Sequence, residues 1–306
     1  MKIKLGTRGS ALATTQAGWV RRRLEALHPG LEVELVIITT SGDRFSAQRP
    51  FSDSSPGQGK ALFVKEIEEA LLKGAIDAAV HSAKDLPAAL PDVFAVGAYP
   101  VREDPSDAWV VRPGGPAFMA LLAGARVASA SLRRRVQLQQ LRGDLEYAAI
   151  RGNIDTRLRK LEEGFCDGLI LAAAGLLRLG KKDRISGLFD AAQIVPAPGQ
   201  GALALEIRGD RPEIRGIIGA LDDPDTRAAV ECEREFLKRM GGSCELPLGA
   251  LAQPDGDWIR LSVFWSELSG KNPVRLSGRG RRRAAAELAK DLCERVRQAA
   301  GMGNKG

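Results

Sequence analysis

Along the first hundred positions, short runs that alternate apolar and polar residues take turns with longer runs whose apolar positions recur every three or four. KIKLG opens the chain as a strand, Ser10 to Leu27 reads as a helix, LEVELVIIT as a second strand, residues 61–72 as a second helix and DAAVHS as a third strand. A period of two lines one face of a sheet and a period of 3.6 lines one face of a helix. Leu12, Val20, Leu24 and Leu27 share a face of the first helix, and Phe63, Ile67, Ala70 and Leu71 a face of the second. Both helices are therefore expected to pack on a sheet.

The polar segment SGDRFSAQRPFSDSSPGQG, residues 41–59, breaks this series and holds no periodic pattern. It reads as a mobile lid or a tolerated surface insertion. A second alternating series runs through AWVV, RVASAS, a helix from Ser131, LEYAAI, a helix from about Ile154 and DGLILAA, and closes near residue 195. VPAPGQGALALEIR then carries a strand free to rejoin the first sheet. Beyond about residue 222, the helix DTRAAVECEREFLKRM, several strands and a final helix AAAELAKDLCERVRQAA suggest a smaller α+β domain. The boundaries that follow are 1–98 with 197–218 for a discontinuous first domain, 99–196 for a second and 219–306 for a third.

Composition narrows the class without naming it. At 306 residues, 44% apolar and 27% charged, the chain suits a multi-domain globular enzyme rather than a disordered one. Its formal charge of +7 favours an anionic partner. The low aromatic content, 5%, and the lack of a recognisable helix-turn-helix, RRM or KH signature count against nucleic acid. Cys166, Cys232, Cys244 and Cys293 are widely spaced, and His28 and His81 are the two histidines, so neither a zinc site nor a disulfide framework is expected. Cys232 and Cys293 fall in helical patterns, and Cys166 precedes a strand; all three are expected to be structural. Cys244 differs in lying in the glycine- and proline-rich turn GGSCELPLG. No apolar run approaches membrane-spanning length and no signal-peptide core opens the chain, so a cytoplasmic location is expected.

Polar residues recur where strands end. Arg8 and Ser10 follow the first strand; Ser82, Lys84 and Asp85 follow DAAVHS; Ser129, Ser131, Arg133 and Arg134 follow RVA; Arg151, Asn153 and Arg157 follow LEYAAI. In open α/β sheets ligands collect at the carboxyl ends of strands, where helix N-termini offer free amides. Guanidinium forks match planar carboxylates, which points to a ligand carrying several of them. Asp85 is the carboxylate expected among these cations. The run at Arg279, Arg281, Arg282 and Arg283 lacks such a context and reads as a solvated face.

Nine stretches carry a resemblance in unbroken order: GTRGSALA, GKALFVKEIEEALL, DAAVHSAKDLPA, REDPSDA, SASLRRR, RGNIDTRL, AAAGLLRLG, PAPGQGALALE and GGSCELPLGA. They resemble the porphobilinogen deaminase (hydroxymethylbilane synthase) family. Two departures stand out, Ala61 and Ser243, where the family usually or often has glycine. The resemblance implies an α/β fold of three domains, the first two periplasmic-binding-protein-like with doubly wound mixed sheets, and a monomer. It further implies a dipyrromethane cofactor attached through a thioether to Cys244, onto which four porphobilinogen units are condensed with loss of ammonia before hydroxymethylbilane is released.

By the same resemblance, Asp85 is the catalytic acid/base. Loss of ammonia leaves an electron-poor azafulvene whose positive charge a nearby carboxylate stabilises. Lys84, Ser131, Arg133, Arg134, Arg151 and Arg157 are expected to hold the cofactor, and Arg8, Ser10, Lys60, Arg151, Arg157 and Arg178 the substrate. The rival expectation is a non-catalytic two-lobed binding protein or regulatory domain for an anionic ligand, which the fold alone would suit but which would need neither Cys244 nor Asp85.

Overall fold

The computed structural model describes residues 1–40, 61–242 and 246–302, with the side chains of 61–63 excepted. The segment 41–59, Lys60 and Cys244 lie outside the described residues. In chain order the first lobe begins with β1 (Lys2–Arg8), α1 (Ala11–Leu27), β2 (Glu32–Ile38), α2 (Ala61–Leu72), β3 (Ala78–Ser82) and β4 (Phe94–Ala98). The chain crosses into a second lobe of β5 (Asp107–Val110), β6 (Arg126–Ala128), α3 (Leu132–Leu141), β7 (Glu146–Ala148), α4 (Ile154–Glu162), β8 (Gly168–Ala172), α5 (Ala173–Arg178) and β9 (Gly187–Phe189). It comes back to the first as β10 (Leu203–Arg208) and α6 (Pro212–Gly219). A third unit follows, with α7 (Pro224–Arg239), β11 (Leu248–Asp255), β12 (Trp258–Trp265), β13 (Val274–Arg281) and α8 (Ala285–Ala299).

The two five-stranded sheets share one topology, β2-β1-β3-β10-β4 in the first lobe and β7-β6-β8-β5-β9 in the second. In each, three parallel strands are followed by an antiparallel strand that has just arrived from the other lobe. Strand order therefore reverses beside β1 and beside β6, and a crevice opens beyond the carboxyl ends of β1, β3, β6 and β8. The inserted strand β10 is buried along nearly its whole length. Its Glu206, with no exposure, meets His81 Nε2 of β3 through Oε2 at 3.0 Å.

On α1, Val20 and Leu24 are buried as the spacing requires. Leu27 is not: it is 47% exposed, while the neighbouring His28 reaches α6, from Nε2 to Ile217 O at 3.0 Å. The third unit packs α7 and α8 on one face of its antiparallel sheet, with Cys232 and Cys293 inside that core. Burial pushes the Cys232 thiol up to about 12 and that of Cys166 up to about 11, as suits inert structural cysteines. The opposite face sets Leu251 and Phe264 against Val136 and Val195 of the second lobe. Arg279 and Arg281 are exposed and lie over the Trp258 ring, at 4.8 and 4.3 Å from its centroid.

Two segments join the lobes, 99–106 outward and 190–202 back, and they touch where PGQG passes Glu103. Gly201 has φ +85°, and a Cβ there would stand 2.3 Å from Glu103 O. Alanine at 201 is expected to cost about 2–3 kcal/mol of stability, from backbone strain plus the clash. A chemical-denaturation midpoint equal to that of the parent protein would contradict this.

Candidate active site

Ser10 caps α1, its Oγ accepting from Ala13 N at 3.3 Å; Ser131 caps α3, accepting from Arg134 N at 3.5 Å; Asn153 caps α4, accepting from Thr156 N at 2.8 Å. Each is a short polar residue within two to five positions of a strand end, where its side chain satisfies an otherwise orphaned amide. The lobes bring the starts of α1, α4 and α5 together. A Cβ placed on Gly175 of α5 would meet Ile154 Cδ1 of α4 at 2.8 Å and Leu12 Cδ2 of α1 at 3.7 Å.

Residues 199–201 form the spine of the site. Gly199 lies flat on the turn after β3, so that a Cβ there would stand 3.0 Å from Ala83 C and Lys84 N. Asp85 closes that single 3-10 turn, half-buried, between Ala83 and Leu86, which are fully buried. Gln200 Nε2 donates to Pro105 O (2.7 Å) and to Asp107 Oδ1 (2.8 Å). Gly201 O accepts from Arg178 Nη2 at 2.7 Å. Three consecutive residues thus tie the Asp85 turn, an acidic group at the base of the second sheet and an arginine of the second lobe into one framework.

Asp107, with no exposure, is the centre of a buried ion cluster. It accepts from Arg133 Nη1 at 2.7 Å and from Arg134 Nε at 2.8 Å. Burial by itself would raise its pKa; the two guanidinium groups outweigh that and hold the carboxyl well below the usual range. Arg133 and Arg134, both expected at the cofactor, share Asp107 but differ in their other bonds. Arg134 commits Nη1 to Ile170 O (3.1 Å) and Nη2 to Asp107 and Gln200 as well. Arg133 spends Nη1 on Asp107 and on Val195 O (2.6 Å), and its Nη2 takes no bond among the described residues. The physical reason is the β5 carboxylate directly beneath α3, which draws both side chains inward.

Arg157 and Arg178 are two buried cations of the second lobe with no ion pair among the described residues. Burial pushes Arg157 down to about 10, Arg134 adds to the shift, and among the described residues no carboxylate is within ion-pairing reach of it. Its Nε donates to Gly152 O at 2.8 Å. Arg178 is likewise lowered to about 10 by burial, with Glu103 opposing. A desolvated guanidinium without an anion is costly unless something anionic binds there. Arg8 ends β1 and is half-buried, Lys84 precedes Asp85 in its turn, and Arg151 is exposed after β7. Asp107, Gln200, Arg102 and Glu233 escaped the sequence reading, although they lie in or near quoted motifs; their roles depend on partners 19 to 131 residues away.

Fold and site together define a two-lobed α/β protein with desolvated guanidinium groups near the junction of its lobes and a third unit fastened to the crossing. Residues 3–216 match the family model described as the porphobilinogen deaminase dipyromethane cofactor binding domain, and 227–298 match the porphobilinogen deaminase C-terminal domain. The chain belongs to the porphobilinogen deaminase family. It is 46% identical over 290 residues to the porphobilinogen deaminase of Syntrophobacter fumaroxidans, covering 95% of this chain and 92% of that one. To the Roseiflexus castenholzii protein of the same name it is 45% identical, covering 98% and 97%. Among solved structures, a periplasmic aliphatic sulphonate binding protein of Escherichia coli aligns with TM-score 0.41 and 16% identity over 78% of this chain and 70% of that one.

Proposed function

We propose that the interlobe site of this porphobilinogen deaminase condenses four porphobilinogen molecules head to tail on a primer tethered at Cys244 and releases hydroxymethylbilane for tetrapyrrole biosynthesis. The observation that carries the site assignment is the pair Arg157 and Arg178, both desolvated, on α4 and α5, whose starts meet that of α1; among the described residues Arg157 has no carboxylate acting on it and Arg178 has Glu103 alone. Every pyrrole unit brings an acetate and a propionate, so primer, substrate and growing chain supply the missing charge.

The residues present fit a dipyrromethane. Bound through Cys244, it would supply a nucleophilic pyrrole carbon at its free end. Lys84, Ser131, Arg151 and Arg157 would hold its carboxylates, with one arm of Arg133 available, while Arg134 acts through the buried cluster. Arg8, Ser10, Lys60, Arg151, Arg157 and Arg178 would orient the incoming substrate. Asp85 protonates the departing amine, stands beside the positive charge that then spreads to the pyrrole nitrogen, and accepts the proton lost when aromaticity returns. No helix among the described residues is long and apolar enough to cross a membrane; the working form in this reading is a cytoplasmic monomer.

Intact-mass spectrometry of the active protein tests the reading. The expected mass exceeds that of the chain by two linked pyrroles, and Cys244→Ser loses the excess. An active protein with the bare chain mass would overturn it.

A further inference from the structure

Helix α7 holds the segment after β3 at three points. Glu233, fully buried, accepts from Arg102 Nη1 and Nη2 (2.7 and 3.1 Å), from Ala252 N (2.8 Å) and from Gly199 N (2.7 Å). Gly199 is the residue pressed against the backbone of Ala83 and Lys84. The next residue along the helix, Arg234, donates through Nη2 to Pro87 O at 2.7 Å and Ala88 O at 3.3 Å. Past the helix end, a Cβ on Gly242 would meet Ala88 Cβ at 3.3 Å. Asp85 is thus braced on its N-terminal side through Gly199 and on its C-terminal side through Arg234. Gly242 stands two positions before Cys244 in the chain.

We propose that Arg234 is a positioning residue for the condensation: by fastening the carbonyls that follow Asp85 to the helix leading to Cys244, it fixes where the carboxylate stands relative to the attachment point. The inference rests on the reading of Asp85 as the acid/base. A guanidinium bridging two successive carbonyls restrains both the position and the tilt of the peptide planes it binds. Misplacing a reacting group by about 1 Å is enough to cost about a hundredfold in rate. A staple serving stability alone would leave the turnover of the folded fraction unchanged.

The test uses the holoenzyme with Arg234→Gln and Arg234→Lys, since removing the Glu233 carboxylate strands four buried donors and endangers folding. For Arg234→Gln, kcat is expected to fall about ten- to a hundredfold with KM within about twofold. Intact mass should show the cofactor retained, and hydrogen exchange at amides 83–90 should quicken. Arg234→Lys should recover part of kcat. Unchanged kcat in the folded fraction, a rise in KM alone, or unchanged exchange at 83–90 would each overturn the proposal. Asp85→Asn run in parallel separates the two ideas: turnover surviving there sinks the acid/base reading while exchange still decides the clamp, and an inactive Asp85→Asn beside a fully active Arg234→Gln sinks the clamp alone.

Discussion

Asp85→Asn is expected to fold, to retain its covalent primer, and to turn over about 10²- to 10⁴-fold more slowly than the parent protein, the range lost with a general acid/base. The turn carrying it is set by Ala83 and Leu86 in the core and by Gly199 against its backbone, none of which depends on the carboxylate charge, so asparagine should keep the geometry. What it loses is both a proton to give and a negative charge to set beside the developing cation. Steady-state kinetics with intact-mass verification of the primer makes the measurement. Turnover within about threefold of the parent would remove Asp85 from the mechanism, because positioning and carboxylate binding by the arginines remain intact in the variant.

The largest stability effect is expected at Asp107. Asparagine there leaves Arg133 and Arg134 buried with a neutral partner, a broken ion pair of the kind that costs about 3–5 kcal/mol. The pH dependence follows from the direction of the shift. The folded-state pKa of Asp107 lies below its ordinary value, so its stabilisation is complete above the unfolded pKa, about 3.9, and is lost as pH falls below that toward the folded value. Between those limits the unfolded chain binds one more proton than the folded one, a slope of about 1.4 kcal/mol per pH unit. Urea titrations at neutral pH and between pH 3 and 4 should show the parent weakening in acid and Asp107→Asn, already weakened, lacking that part of the slope. Equal neutral stability, or equal acid slopes, would contradict the cluster's place in the fold.

Elements with a strong period were legible in the sequence, and so were the cap residues. Ser10, Ser131 and Asn153 fall in the short links between a strand and the next helix, and capping is a local affair of three residues. Leu27 misled because the face of a helix says where the core lies but not where the sheet stops. The three-arginine run SLRRR announced cations without disclosing that Asp107, in a strand 26 residues earlier, would claim two of them. The same limit hid Glu233: a glutamate in a charged helix reads as solvated until Arg102, Gly199 and Ala252 are seen around it. Long-range charge pairing has no period, and so leaves no mark in a single sequence.

The two connecting segments lie against each other at Glu103 and Gly201, with Glu103 N donating to Gly201 O at 3.2 Å. Glu233 grips Arg102 and Gly199 beside that contact, so the passage between the lobes is one cross-braced joint rather than two independent linkers, and a change in either segment is felt by the other.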